Sequence, residues 1–334
     1  MRIVRIFGIS VGVGVAVYLL HEVGWSPIRH TMALLRWNYW IVLVYPMSWI
    51  FLNTAGWRSS LQAAYSKIPL RRLALIRVAG ETFNSLLPSG YVGGEPLKAK
   101  LLSQWIPLHE ATSSVLIAKS AQSIALVLFV GLGLTIGKVE GPSPLRQPAA
   151  LAAIGCLSAG VFIFTWLLAR RSFSRSGRWL HRVTKIRWLQ AQEEKLIALD
   201  ESLGVFYRQG KKRFLVSIAW HAAGWLAGAL EVAFIFYLIG HAVTWRQAWF
   251  IGAMAQLASV IGLLVPAGVG LYEGGHYLAA SLLGLSPALA LSVSLIRRVR
   301  EIFWDGMGLF FFWNLSAATQ NLKPGQRSPG APPA

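Results

Sequence analysis

The chain has 334 residues, of which 55% are hydrophobic and 13% charged, with a mean hydropathy of +0.51. Soluble domains carry about a quarter charged residues, so this composition cannot cover a water-facing surface. The formal net charge of +19 sits in a few loops, which makes it a topology signal and argues against nucleic acid as a partner.

Taken in chain order, the apolar segments are Ile6–Leu20, Tyr39–Leu52, Ala111–Ile136, Ala149–Ala169, Phe214–Ile239 and Ala248–Pro266. A bilayer-spanning helix needs roughly 20 such residues. Arg2 and Arg5 precede the first segment, yet HEVGWSP after Leu20 offers no small-x-small cleavage site, so a retained first helix is expected. Arg58, Lys67, Arg71 and Arg72 crowd one loop, and twelve Lys/Arg against four Asp/Glu fall between Arg170 and Arg213. Both belong in the cytoplasm. Leu189, Leu196, Leu199, Leu203 and Phe206 recur at helical spacing within Trp179–Gln209. That amphipathic helix lies on the inner leaflet or packs against its own loops. The single cysteine, Cys156, is mid-span, and the seven histidines show no ligand spacing. No metal or cofactor is expected, and His221 and His276 read as hydrogen-bonded or interfacial groups.

A duplication lies beneath this order. LLPSGYVGGEPLKA around Pro88 and LLVPAGVGLYEGGHYL around Pro266 share P-x-G-x-x-x-x-E at an offset of 178 residues. The same register pairs SSVLIAK, ending at Lys119, with LSVSLIR, ending at Arg297. If Leu73–Leu108 crossed once, the basic loop would fall outside, so this segment is expected to enter and return, turning at Pro88–Gly94. Ala248–Leu283 does the same at Pro266–Gly275, and Pro287–Trp313 runs inward. The fold class is therefore all-α and polytopic, about six transmembrane helices plus two re-entrant hairpins in an inverted repeat. The plain alternative, with Leu73–Leu87 and Ala248–Pro266 as full spans, stays open at this level. Residues 1–315 form one transmembrane domain with halves 1–137 and 148–315 around the basic loop 170–213, and 316–334 form a disordered Pro-rich cytoplasmic tail.

Charges in the hydrocarbon region cost on the order of 2.5–3.5 kcal/mol each by insertion scales, so they default to functional candidates. Lys119, ten residues after His109, falls roughly 15 Å deep, and Arg297 matches it in the second half. Glu95, Lys119, Glu273 and Arg297 are the expected head-group or coupling-ion site. Pro88, Gly90, Gly93, Gly94, Pro266, Gly268 and Gly270 form the turns, where glycine lets backbone approach a ligand and a following helix N-terminus can face an anion. Arg77–Glu81, Arg297–Glu301 and Arg298–Asp305 read as supporting ion pairs. Gly224 and Gly228, beside Glu231, form G-x-x-x-G and read as helix packing.

The strings NSLLPSGYVGGEPLKAKLL, GWLAGALEVAFIFYLIG and VPAGVGLYEGGHYLAASLLGLSPALALSVSLIRRVREIFW resemble the flippase-like membrane proteins, which include the transmembrane region of lysylphosphatidylglycerol synthases. Within them the chain is most similar to the HpnL-type branch associated with hopanoid-biosynthesis loci. The resemblance covers about Tyr39 to Trp313. It implies a bacterial inner-membrane protein that moves a lipid between leaflets. No aminoacyl-transferase domain follows Trp313, so lysyl transfer is not expected. Where many relatives carry an acid beside the third-span cation, this chain has Ala118–Lys119. Three readings follow: a translocator of a hopanoid-related or anionic lipid, a membrane-embedded enzyme acting on lipid, and a scaffold for other lipid-biosynthesis proteins. No catalytic constellation is present in the sequence, which favours the first over the second.

Overall fold

The computed structural model describes residues 21, 25–87, 93–136, 148–170, 172–184, 192–261 and 269–320. Among them all regular structure is helical, as the apolar segments required. The helices are α1 (Trp25–Leu34), α2 (Tyr39–Val44), α3 (Pro46–Ser60), α4 (Leu70–Leu86), α5 (Glu95–Leu102), α6 (Leu108–Ile136) and α7 (Pro148–Ala169). They continue as α8 (Phe173–Thr184), α9 (Glu193–Gln209), α10 (Lys211–Leu238), α11 (Trp245–Ile261), α12 (Leu271–Leu282) and α13 (Pro287–Gln320). Proline opens α3, α7 and α13, where its missing N–H costs nothing and its φ is already helical. The expected first helix, Ile6–Leu20, and the 316–334 tail beyond Gln320 lie outside the described residues, as do Pro88, Gly90, Pro266 and Gly268.

Two sets of described helices make matching contacts at the 178-residue offset. Helices α3, α4, α5 and α6 correspond to α10, α11, α12 and α13. Each half makes the same neighbours: α3 with α4 and α10 with α11, α4 with α5 and α11 with α12, α5 with α6 and α12 with α13. The halves then interlock reciprocally, α4 against α13 and α11 against α6, while α3 meets its own counterpart α10. Such reciprocity is what a pseudo-two-fold relation imposes. The short helices α5 and α12 pack against α4 and α11. In the first, a Cβ on Gly94 would collide with the Gly80 carbonyl oxygen, so only glycine permits that approach. In the second, Gly270 begins α12 at φ +81, a left-handed conformation that side chains resist.

Three of the described helices are long and apolar enough to cross a bilayer by themselves: Leu108–Ile136, Leu151–Ala169 and Lys211–Leu238. Helix α7 leaves Leu151, Phe162, Ile163, Trp166 and Leu167 exposed, a face that suits lipid.

Two expectations change. The second apolar segment continues as helix to Ser60, so Arg58 occupies the last turn of α3, and Arg71 and Arg72 the first turn of α4. Of these basic residues only Lys67 lies in the connection between the helices. Trp179–Gln209 is two helices, α8 and α9, with Leu189 outside the described residues. Leu199, Leu203 and Phe206 of α9 are buried with Ile117 of α6 and Leu168 of α7, so that apolar stripe serves internal packing. Asp200 of α9 accepts backbone N–H bonds from Phe173 (3.1 Å) and Ser174 (2.8 Å), capping α8. The exposed amphipathic element is α8, with Trp179 and Leu180 open.

Candidate functional site

A cavity of about 430 Å³ lies between the repeat halves. Its apolar wall includes Leu126, Phe129, Leu157 and Trp225; its ionisable wall is Glu81, Lys119, Glu231, Arg297, Arg298, Arg300, Glu301 and Asp305. Two ion networks stand behind and along this lining, one in each half.

The first is built by the α4–α5 hairpin and α6. Arg77 and Glu81 share one face of α4 at i,i+4 and approach to 3.2 Å. Glu81 also receives Lys98 of α5 at 2.8 Å. Lys98 bridges Glu95 at 3.2 Å, and Lys119 of α6 reaches the same carboxylate at 3.3 Å. Asn84 ties the turn together: its amide donates to Glu81 and Glu95, each at 3.1 Å, and its carbonyl accepts the Gly94 N–H at 2.7 Å.

The second is built by α10, α12 and α13. Glu231 of α10 is clamped by Arg297 at 3.3 Å and by Arg300. Arg297 also donates to the Tyr272 hydroxyl and stands over that ring, 5.4 Å from its centroid. Arg298 bridges Glu273 at 2.6 Å and Glu301 at 2.8 Å. Glu273 uses its other oxygen to accept the Gly270 N–H at 2.7 Å. His221 and His276 are buried, with Nδ1 bonded to the Asn53 side chain (2.7 Å) and the Tyr272 carbonyl (3.0 Å), in line with the hydrogen-bonded role expected of them.

Together these are six cations (Arg77, Lys98, Lys119, Arg297, Arg298, Arg300) and six carboxylates (Glu81, Glu95, Glu231, Glu273, Glu301, Asp305). Fully ionised, the site is neutral. Burying charge is tolerable only with such pairing.

Of the four residues singled out in the sequence, Lys119 and Arg297 line the cavity, while Glu95 and Glu273 stand behind it. Lys119 does meet Glu95. Arg297 does not meet Glu273; it takes Glu231, and Glu273 goes to Arg298. The reason is visible in the repeat register. Asn53 occupies in α3 the position of Glu231 in α10, so the first half has no carboxylate there and its cation turns to the hairpin. At the two helix starts, Asn84 and Glu273 accept the N–H groups of the N-cap glycines Gly94 and Gly270. Arg77–Glu81 forms as expected, whereas Glu301 is bridged by Arg298 and Arg300, and Arg298 is not paired with Asp305. Tyr207 of α9 reaches Ser120, the neighbour of Lys119, at 3.3 Å.

Sequence reading missed Glu231, Lys98, Asn84 and Arg300 as members of the site. Glu231 had a signal, a lone acid inside the otherwise apolar Phe214–Ile239. Gly224 behaves as read, since a Cβ there would collide with Asn53. Gly228 does not: nothing stands within 4 Å of a Cβ at that position, and it lines the cavity.

Residues 5–304 match a family model described as the lysylphosphatidylglycerol synthase TM region. A UPF0104 membrane protein of Pyrococcus horikoshii is 24% identical over 314 residues, covering 89% of this chain and 92% of that protein. A UPF0104 membrane protein of Methanothermobacter thermautotrophicus is 24% identical over 279 residues, covering 80% of this chain and 78% of its own length.

Proposed function

The chain belongs to the lysylphosphatidylglycerol synthase TM-region family, and from that premise we propose that it moves a lipid between the leaflets of a bacterial inner membrane. The observation that carries this reading is the neutral, ion-lined cavity at the interface of the repeat halves. A lipid head group needs polar partners while its tails need hydrocarbon. The cavity offers both, because Leu157 of its wall belongs to α7, whose outer face is apolar and exposed. The buried Nε atoms of Arg297 and Arg300 have no hydrogen-bond partner among the described residues. An unsatisfied buried donor costs about 1–3 kcal/mol, which an oxygen of a phosphate or hydroxylated head group would relieve. Arg297, Arg300 and Lys119 are the head-group residues in this reading, with Glu95 positioning Lys119 and Glu231 positioning the two arginines.

Six spans with two re-entrant hairpins remain the topology that places both termini and the basic loop in the cytoplasm, and rocking of one repeat against the other would give access to each leaflet. The chain is not an enzyme and needs no cofactor in this reading. The resemblance to the HpnL-type branch points to a hopanoid-related cargo; an anionic phospholipid suits the arginines equally. Mass spectrometry of lipid co-purified in native-membrane discs distinguishes them, and no enriched lipid would count against both. Topology has its own check. Single cysteines in a Cys156→Ser background should label from outside at position 142 and from the cytoplasm at position 190; the reverse pattern sinks the arrangement.

A scaffold is the second reading, favoured by the basic helix α8, which leaves Trp179 and Leu180 exposed beside Arg175, Arg178 and Arg182. Removal of Trp179–Gln209 that abolishes cellular function but spares lipid movement would support it.

A further inference from the structure

We infer that Asp305 is the proton-binding carboxylate of the cavity and that its protonation is linked to binding of an anionic head group; the second half of this statement rests on the translocator reading. Glu95 and Glu273 were the sequence's candidates for a proton, and both are held by cations. Every other lining carboxylate is held as well: Glu81 by Arg77 and Lys98, Glu231 by Arg297 and Arg300, Glu301 by Arg298 and Arg300. Protonating Glu81 or Glu231 would strand a buried cation, Arg77 or Arg297, and protonating Glu301 would take a partner from both Arg298 and Arg300. Asp305 is different: among the described residues no cation bridges it.

Its surroundings are neutral or acidic. Thr82, Ser85 and Glu81 of α4 and Glu301, one turn earlier on α13, share the cavity lining with it. Arg71 and Arg72 of α4 and Lys211, Lys212 and Arg213 of α10 lie at the starts of their helices, outside the cavity lining. Arg77 of α4 goes to Glu81, Glu231 of α10 and Glu273 of α12 go to arginines of α13, and Arg29 and His30 of α1 are exposed. His276 of α12 is bonded to the Tyr272 backbone, and α2 contributes only Tyr39 as a titratable group. With no cation bridging it, this half-buried carboxylate takes up a proton without unpairing a buried charge. The consequence is electrostatic. With Asp305 ionised the twelve-ion site is neutral; with Asp305 protonated it carries one net positive charge, which favours an anionic ligand. By linkage, the anion then favours the proton equally. The signal has a route to the hairpin. The Thr82 hydroxyl also reaches the Asp305 carbonyl (3.4 Å), and one turn on, Gly308 packs so closely on Thr82 that a Cβ would collide with it.

The test uses full-length protein. Infrared difference spectra of wild type in lipid discs, taken across a pH titration, should show a protonated-carboxyl band that is lost in Asp305→Asn and shifted in Asp305→Glu. In proteoliposomes, transbilayer movement of NBD-labelled phosphatidylglycerol should be faster on the acid side for wild type and lose its pH dependence in Asp305→Asn. A band and a pH profile unchanged in Asp305→Asn overturn the proposal. If Asp305→Asn does not fold, an unshifted band in Asp305→Glu overturns it instead. A titrating Asp305 band in a protein that moves no probe leaves the proton site standing and removes the translocator reading.

Discussion

Replacing Glu231 with glutamine is expected to destabilise the protein by on the order of 3–5 kcal/mol, the usual cost of stripping the partner from a buried ion pair. Glu231 compensates two arginines at once. Without it Arg300 keeps only Glu301, at 3.5 Å, and Arg297 keeps a phenol, the Tyr272 hydroxyl. The damage should spread, because Glu231 joins α10 to α13 and thereby links the first and last elements of the second half. Thermal unfolding in detergent reads the loss. A second change, Arg300→Gln in the Glu231→Gln background, should recover part of it by removing one stranded charge. An unchanged melting temperature for Glu231→Gln would show that the arginines are compensated from elsewhere.

Arg297→Ala should behave in the opposite way, leaving stability nearly intact while stopping lipid movement. Glu231 keeps Arg300 as its partner, so no buried charge is orphaned. What disappears is the guanidinium that lines the cavity and stands over Tyr272. Arg297→Lys should be impaired too, since an ammonium cannot serve Glu231 and the Tyr272 hydroxyl together with a planar fork. Arg298 is no substitute, because Glu273 and Glu301 hold it. Melting temperature and NBD-phosphatidylglycerol movement in proteoliposomes separate the two effects. A folded Arg297→Ala protein that moves the probe at the wild-type rate removes Arg297 from the site.

Much of the fold was legible because it is written in local pattern. Apolar runs placed α6, α7 and α10 within a few residues, and the shared P-x-G-x-x-x-x-E register exposed the repeat that the helix contacts repeat in turn. Arg77–Glu81 was legible for the same reason, being an i,i+4 pair on one helix. The cross-helix partners were not. Nothing local says that Arg297 will choose Glu231, 66 residues earlier in the chain, over Glu273. That choice depends on α10 lying against α13 and on the first half carrying Asn53 where the second carries Glu231. Gly228 illustrates the converse limit. A G-x-x-x-G spacing marks two small residues on one helix face, but only the neighbours decide whether the second is packed or open.

That open position supplies the most direct test of the central claim, that a lipid head group passes through the cavity between the repeats. Gly228 lines the cavity and has no atom within 4 Å of a Cβ built on it, so a large side chain there fills the cavity without disturbing helix packing. NBD-phosphatidylglycerol movement should be compared in proteoliposomes of wild type, Gly228→Ala and Gly228→Trp with matched melting temperatures. The cavity route predicts movement in the first two and none in the third. Movement at the wild-type rate in folded Gly228→Trp would contradict it.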